Sequence, residues 1–266
     1  MTRKTFVAAL TATAMMAGAA GSAAADEWDT IRIGVEGAYP PFSQVDSGGA
    51  LSGFDIEIAN VLCDEIGAEC TLVQQDWDGI IPALLARRYD AIVASMSITE
   101  ERAKRVDFTD KYYQTPAKFA APKDAEVEIS REGLDGKTVG VQRATIHDNF
   151  ISEEFGDTVD IRRYATQDEA YMDAVAGRVD LLLADSVTMA VGFLETEEGE
   201  GWEFVGPDFT DPQYFGEGVG IAVRPGEDAL REKFNDAIAA ILADGRYEEI
   251  QNKYFDFNVY GEPYGE

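Results

Sequence analysis

Histidine is almost missing from this 266-residue chain, with His147 the single one, and cysteine is limited to Cys63 and Cys70. A His/Cys metal centre needs more ligands than that, and a catalytic Cys–His pair has little to draw on. Basic residues are scarce too, 22 against 50 acidic ones, for a formal charge of −28. A surface of that sign repels phosphate backbones and anionic headgroups, so neither nucleic acid nor an anionic membrane is expected as a partner. A complete Gly-x-x-x-x-Gly-Lys-Ser/Thr phosphate loop is absent, which removes the usual means of hydrolysing ATP in this chain. Beyond residue 25 there is no apolar run long enough to span a bilayer.

What is present begins with an address. Arg3 and Lys4 precede an apolar, small-residue stretch over 6–21, and Ala23-Ala24-Ala25 offers a small-residue cleavage site before Asp26. This pattern is that of a secretory signal peptide over 1–25. Without Arg3 and Lys4, 20 basic residues face 50 acidic ones, and the acid is dispersed as on a solvated face. Dispersed acid of this density fits a salt-adapted source. An exported chain meets an oxidising compartment, so a disulfide between Cys63 and Cys70 is the default expectation.

Residues 30–35 alternate as a strand does. Phe54, Ile58, Val61, Leu62 and Ile66 share one helical face. A strand over 70–74, a helix over 79–87 and an apolar run over 89–94 complete a β-α-β-α-β series, which predicts an α/β lobe with parallel pairing. Near 111–118 the pattern turns irregular. A second α/β series then runs through strands at 137–142, 159–164 and 179–185. Another turn falls at 211–218, followed by a strand at 220–223 and a long helix broken by Gly245. Residues 88–95 (Arg-Tyr-Asp-Ala-Ile-Val-Ala-Ser) echo residues 178–185 (Arg-Val-Asp-Leu-Leu-Leu-Ala-Asp), which suggests two similar lobes.

The stretch Ser95-Met96-Ser97-Ile98-Thr99-Glu100-Glu101-Arg102 joins a buried strand to a polar helix. Ser97 with Glu100 fits a capping box, and Thr99 is an alternative cap. Helix-start amides with a forked guanidinium suit a carboxylate, and an ordinary cap beside a surface arginine is the plainer reading. In open α/β sheets ligands sit beyond the carboxyl ends of the strands. Those ends carry Glu36, Tyr39, Trp77, Ser95, Ser97 with Arg102, the segment 143–145 with Thr145, and Asp185. One arginine, two carboxylates, two aromatics and hydroxyls suit an amino acid. Arg102 takes the carboxylate, Asp185 and Ser95 the ammonium, and Tyr39 and Trp77 flank the side chain. Glu36 favours a cationic tip. Asp185 also suits a helix cap and Trp77 a core position. His147 is expected at the surface or the cleft edge.

Gly53-Phe54-Asp55-Ile56-Glu57-Ile58-Ala59-Asn60-Val61-Leu62 resembles the signature segment of the family 3 solute-binding proteins of ABC importers. Tyr39-Pro40-Pro41-Phe42, Trp77-Asp78-Gly79-Ile80-Ile81-Pro82, Ser97-Ile98-Thr99-Glu100-Glu101-Arg102 and Lys253-Tyr254-Phe255 stand in the same order, so that the resemblance spans residues 29–260. It is strongest to the lysine/arginine/ornithine- and histidine-binding branch, whose cysteine pair and aromatic tail this chain shares. The resemblance implies a two-lobe α/β periplasmic-binding-protein fold of type II, each lobe a mostly parallel sheet flanked by helices. Lobe one is expected over 26–114 and 219–266, lobe two over 118–210, with hinge crossovers at 114–118 and 210–218. It implies a monomeric periplasmic protein, without catalysis or cofactor, that closes on a cationic amino acid and delivers it to inner-membrane permease subunits. It also implies that Ser97 and Thr145 lie near the carboxylate bound by Arg102. Three positions depart from the branch: Glu36 stands for aspartate, Trp77 for phenylalanine, and Ala144-Thr145-Ile146 for a Gly-Ser-Thr or Gly-Thr-Thr run. Rival readings are a cyclohexadienyl dehydratase-like enzyme on the same fold and a ligand-sensing module.

Overall fold

The computed structural model describes residues 28–261; the signal peptide expected over 1–25 lies outside them. From β1 (Thr30–Val35) the chain passes through three short strands, β2 (Ala38–Tyr39), β3 (Ser43–Val45) and β4 (Leu51–Ser52), into α1 (Phe54–Ile66). Then follow β5 (Glu69–Gln74), α2 (Ile80–Leu85), β6 (Ala91–Ile92), α3 (Glu100–Ala103) and β7 (Asp107–Tyr113). The chain next enters a second lobe through β8 (Ala117–Pro122), β9 (Thr138–Gln142), α4 (Ile146–Phe155), β10 (Asp160–Tyr164), α5 (Gln167–Val175), β11 (Leu181–Asp185), α6 (Ser186–Met189) and β12 (Trp202–Phe209). Through α7 (Pro212–Phe215) it returns to β13 (Val219–Val223), α8 (Asp228–Asp244) and α9 (Arg246–Gln251).

Two five-stranded sheets result, ordered β5-β1-β6-β13-β7 and β10-β9-β11-β8-β12. In the first, β1 is parallel to β5 and β6, and β13 is antiparallel to both β6 and β7. In the second, β9 is parallel to β10 and β11, and β8 is antiparallel to both β11 and β12. Each sheet is therefore parallel but for one reversed strand, and that strand is the one that enters the lobe after a crossing. Entering strands start at the edge where the parallel strands end. Ala117 thus begins beside Asp185, which finishes β11, and Val219 beside Tyr113, which finishes β7.

Alternation along the strands fills both faces of each sheet. Ile31, Ile33 and Val35 of β1 pack with α1 and α8, alongside Ala91 and Val93; Ile92 and Ala94 face the α2 side with Trp77, Ile80 and Leu84. In the second lobe Leu181 and Leu183 join Val139, Val141 and Phe150, while Leu182 and Ala184 join Tyr171 and Phe193 on the opposite face. α1 ends at Gly67, whose left-handed backbone (φ 77°) lets its amide reach Cys63 O. The turn brings Cys70 into disulfide linkage with Cys63, Cα to Cα 6.1 Å, pinning the end of α1 to β5.

The echo between 88–95 and 178–185 is structural. Asp90 N donates to Arg32 O while Arg32 N donates to Asp90 Oδ2. Asp180 N donates to Thr138 O while Thr138 N donates to Asp180 Oδ2. The preceding helix ends match as well, with left-handed Arg87 (φ 60°) in one lobe and Gly177 (φ 67°) in the other. Phe255 packs into the first lobe's core, and Gln114 N donates to Val259 O, which ties the aromatic tail to the crossing after β7.

Candidate ligand-binding site

The carboxyl ends of the parallel strands from both lobes converge on one cavity. All eight candidate residues line it: Glu36, Tyr39, Trp77, Ser95, Ser97 and Arg102 from the first lobe, Thr145 and Asp185 from the second. Gln114, Thr115, Gln142, His147, Gly218 and Val219 line it too. Apart from Gln142 and His147, these additions belong to crossings or to the start of a reversed strand, where the rule about carboxyl ends does not look. Gln142 is the last residue of β9, and the strand-end rule points to it directly when applied one residue earlier than Arg143.

The opening stretch works differently from the simplest expectation. Thr99 rather than Ser97 caps α3, accepting from Arg102 N. With only four residues, α3 offers little aligned backbone dipole. The helix that starts at the cavity is α4, from the opposite lobe. Thr145 caps it, accepting from Asp148 N and donating to Gln142 O. The next two residues, Ile146 and His147, lie at the cavity with the first-turn amides that a helix leaves unpaired. Arg102 projects toward the same cavity, its Nη1 donating to Ser97 O at 3.1 Å and its guanidinium carbon 5.1 Å from the Trp77 ring centroid. It keeps partial exposure, yet the protein packed around it lowers its pKa to about 10. Among the described residues it forms no ion pair with a carboxylate.

Ser95 has a left-handed backbone (φ 51°), a conformation that costs a non-glycine residue about 1 kcal/mol or more. Its hydroxyl donates to Asp55 Oδ2 at 2.9 Å, and Tyr112 donates to Asp55 Oδ1 at 2.9 Å. With its proton committed to Asp55, the Ser95 oxygen presents lone pairs, which suit an N–H donor. Asp55 is fully buried, and burial raises its pKa to about 7. Asp185 fills the cap role as well as facing the cavity: its Oδ1 accepts from Val187 N and Thr188 N. Thr115 Oγ1 donates to its other oxygen. Burial raises Asp185 to about 6.

Glu36 is 6% exposed, and burial lifts it to about 7 against the opposing pull of a hydrogen bond from Gln142. Trp77 is both wall and core. It packs with Ile80, Leu84 and Met96, lines the cavity, and donates from Nε1 to Ala144 O across the cleft at 3.1 Å. A second contact across the cleft joins Arg143 Nε to Asp78 Oδ2 at 2.6 Å. His147 departs from the expectation of a surface or cleft-edge position. It is buried, 6.2 Å from the Phe215 ring, and burial lowers its pKa to about 3. It therefore adds no charge at neutral pH.

Residues 31–257 match the family model described as bacterial extracellular solute-binding proteins, family 3. The chain belongs to that family. Over 232 residues it is 52% identical to the L-arginine-binding protein of Pseudomonas aeruginosa, covering 87% of this chain and 90% of that one. It is 41% identical to the histidine-binding periplasmic protein of Escherichia coli K12, covering 87% and 89%. Among solved structures, an ancestral arginine-binding protein bound to arginine superposes with a TM-score of 0.79 at 35% identity, covering 85% and 98%. These family 3 relatives are binding proteins of two lobes, and the present chain shares their architecture.

Proposed function

We propose that this chain captures an L-amino acid with a cationic side chain in the cleft and presents it to the permease of an ABC importer. The charge of the cavity carries the reading. Its lining holds one cation, Arg102, and two carboxylates, Glu36 and Asp185. A zwitterion with a neutral side chain leaves one buried carboxylate uncompensated, and an acidic side chain makes the excess worse. A cationic side chain brings the sum to zero, and burying an unpaired charge is costly. In this reading Arg102 and the start of α4, with Ser97 and Thr145 beside them, hold the carboxylate. Asp185 and Ser95 hold the ammonium, Tyr39 and Trp77 flank the side chain, and Glu36 meets its tip.

Lobe one comprises residues 26–114 and 219–266 and lobe two 118–210, with 114–118 and 210–218 as the hinge. Ligand contacts drawn from both lobes favour the closed state. The signal peptide sends the protein to the periplasm, where it acts as a monomer. We read it as a binding protein rather than an enzyme, and incubation with prephenate or arogenate should give no turnover. The direct test is titration calorimetry with arginine, lysine, ornithine, histidine, leucine and glutamate. Cationic ligands should bind at micromolar concentrations or below, glutamate and leucine much more weakly. Arg102→Ala should abolish binding of every one, and a surviving micromolar site would sink the carboxylate clamp.

A further inference from the structure

We propose that Gln142 selects a planar guanidinium over a primary ammonium at the side-chain end of the cavity, by holding Glu36 and offering a second acceptor oxygen beside it. The inference rests on the cationic reading above and adds a residue that decides among cationic ligands. Gln142 ends β9 and is 2% exposed. Its Nε2 donates to Glu36 Oε1 across the cleft at 2.5 Å and to Ala165 O at 3.2 Å within its own lobe. A carbonyl can only accept, so the amide nitrogen must face Ala165 O, which fixes the orientation of the side chain. Its oxygen, Oε1, must then point elsewhere.

Both N–H groups of the amide are spent. Gln142 Oε1 and Glu36 Oε2 accept no hydrogen bond from any described residue, and both residues line the cavity. Two acceptors on adjoining side chains, one charged and one neutral, match the paired in-plane N–H groups of a guanidinium. A primary ammonium is a compact point charge whose donors diverge, so it gains most from the carboxylate and less from the neutral oxygen. The same hydrogen bond also steadies Glu36 as a carboxylate within a dry site. Gln142 thereby acts on the ligand both directly and through Glu36.

The experiment measures the dissociation constants of arginine and lysine for wild type, Gln142→Leu and Arg143→Ala by calorimetry. Leucine keeps comparable bulk and removes both the donor and the acceptor. The wild type should prefer arginine, and Gln142→Leu should shrink the arginine-to-lysine preference by about tenfold, the scale of one lost hydrogen bond to a charged group. Arg143→Ala breaks another contact across the cleft and should weaken both ligands by the same factor. A ratio within one protein is insensitive to a partial loss of folded material. An unchanged preference in Gln142→Leu, with both ligands still bound by the wild type, overturns the role of Gln142 and leaves the ligand class standing. An equal change of preference in Arg143→Ala overturns it too, since closure would then account for the effect. A wild type that binds neither ligand overturns both this inference and the reading beneath it.

Discussion

Three carboxyls at the site are lifted well above the usual carboxylate range, chiefly by burial. Glu36 and Asp55 rise to about 7 and Asp185 to about 6. In the unfolded chain each would titrate near 4. Between roughly pH 4 and 7 the folded protein therefore holds more protons than the unfolded chain, so these groups contribute stability at low pH that is lost as pH rises through their folded values. Ligand affinity runs the other way, because a cationic amino acid needs Glu36 and Asp185 ionised. Thermal melts of the ligand-free protein should shift upward from pH 8 to pH 5, while the extra shift given by saturating arginine shrinks. Parallel trends in the two series would contradict this account. At this scale the candidate residues were legible because arginine, carboxylates and aromatics at strand ends are unusual company. Thr115 was not, since a hydroxyl in a crossing is commonplace; Gln142 stood at a strand end, but an amide there carries no charge to assign it a role.

Elements show a different balance. β1, α1, β5, β9, β11 and α8 follow from apolar periodicity, because each buries one face or both against a sheet. The hairpin of β2, β3 and β4 escapes that reading. Its Ser43-Gln44-Val45 strand and Asp46-Ser47-Gly48-Gly49 turn carry no apolar stripe, and Asp46 Oδ1 holds the turn by accepting from Gly48 N and Ala50 N. The reversal of β8 and β13 escapes it too, since short apolar runs, such as the one at 220–223, do not disclose direction. The paired aspartates that clasp neighbouring strands should differ in weight. Asp90 also accepts from Arg32 Nε and Nη2 and from Arg224 Nη2, and Arg224 is buried. Asp90→Ala removes one of that guanidinium's two carboxylate partners, leaving it Glu227, and frees three Arg32 donors, so it should destabilise the protein by about 3 kcal/mol. Asp180 is exposed, so Asp180→Ala, which loses one hydrogen bond, should cost about 1 kcal/mol. Urea titration of both variants tests the difference, and equal losses would refute it.

For the whole molecule the excess of acid matters most. A formal charge of −28 repels itself, and salt screens that repulsion within about 10 Å at 0.1 M. Raising sodium chloride from 0.05 to 1 M should therefore raise the melting temperature, and a flat response would remove the case for salt adaptation. The order of strands has a bearing on synthesis. β13, near the end of the chain, sits between β6 and β7, which are made more than a hundred residues earlier. The first lobe to leave the ribosome cannot close its sheet until almost the last of the chain has followed, whereas the second lobe is one continuous stretch. A polypeptide that must be threaded through a membrane before it folds gains from that delay. An interior strand of its first sheet is withheld until the passage is nearly over.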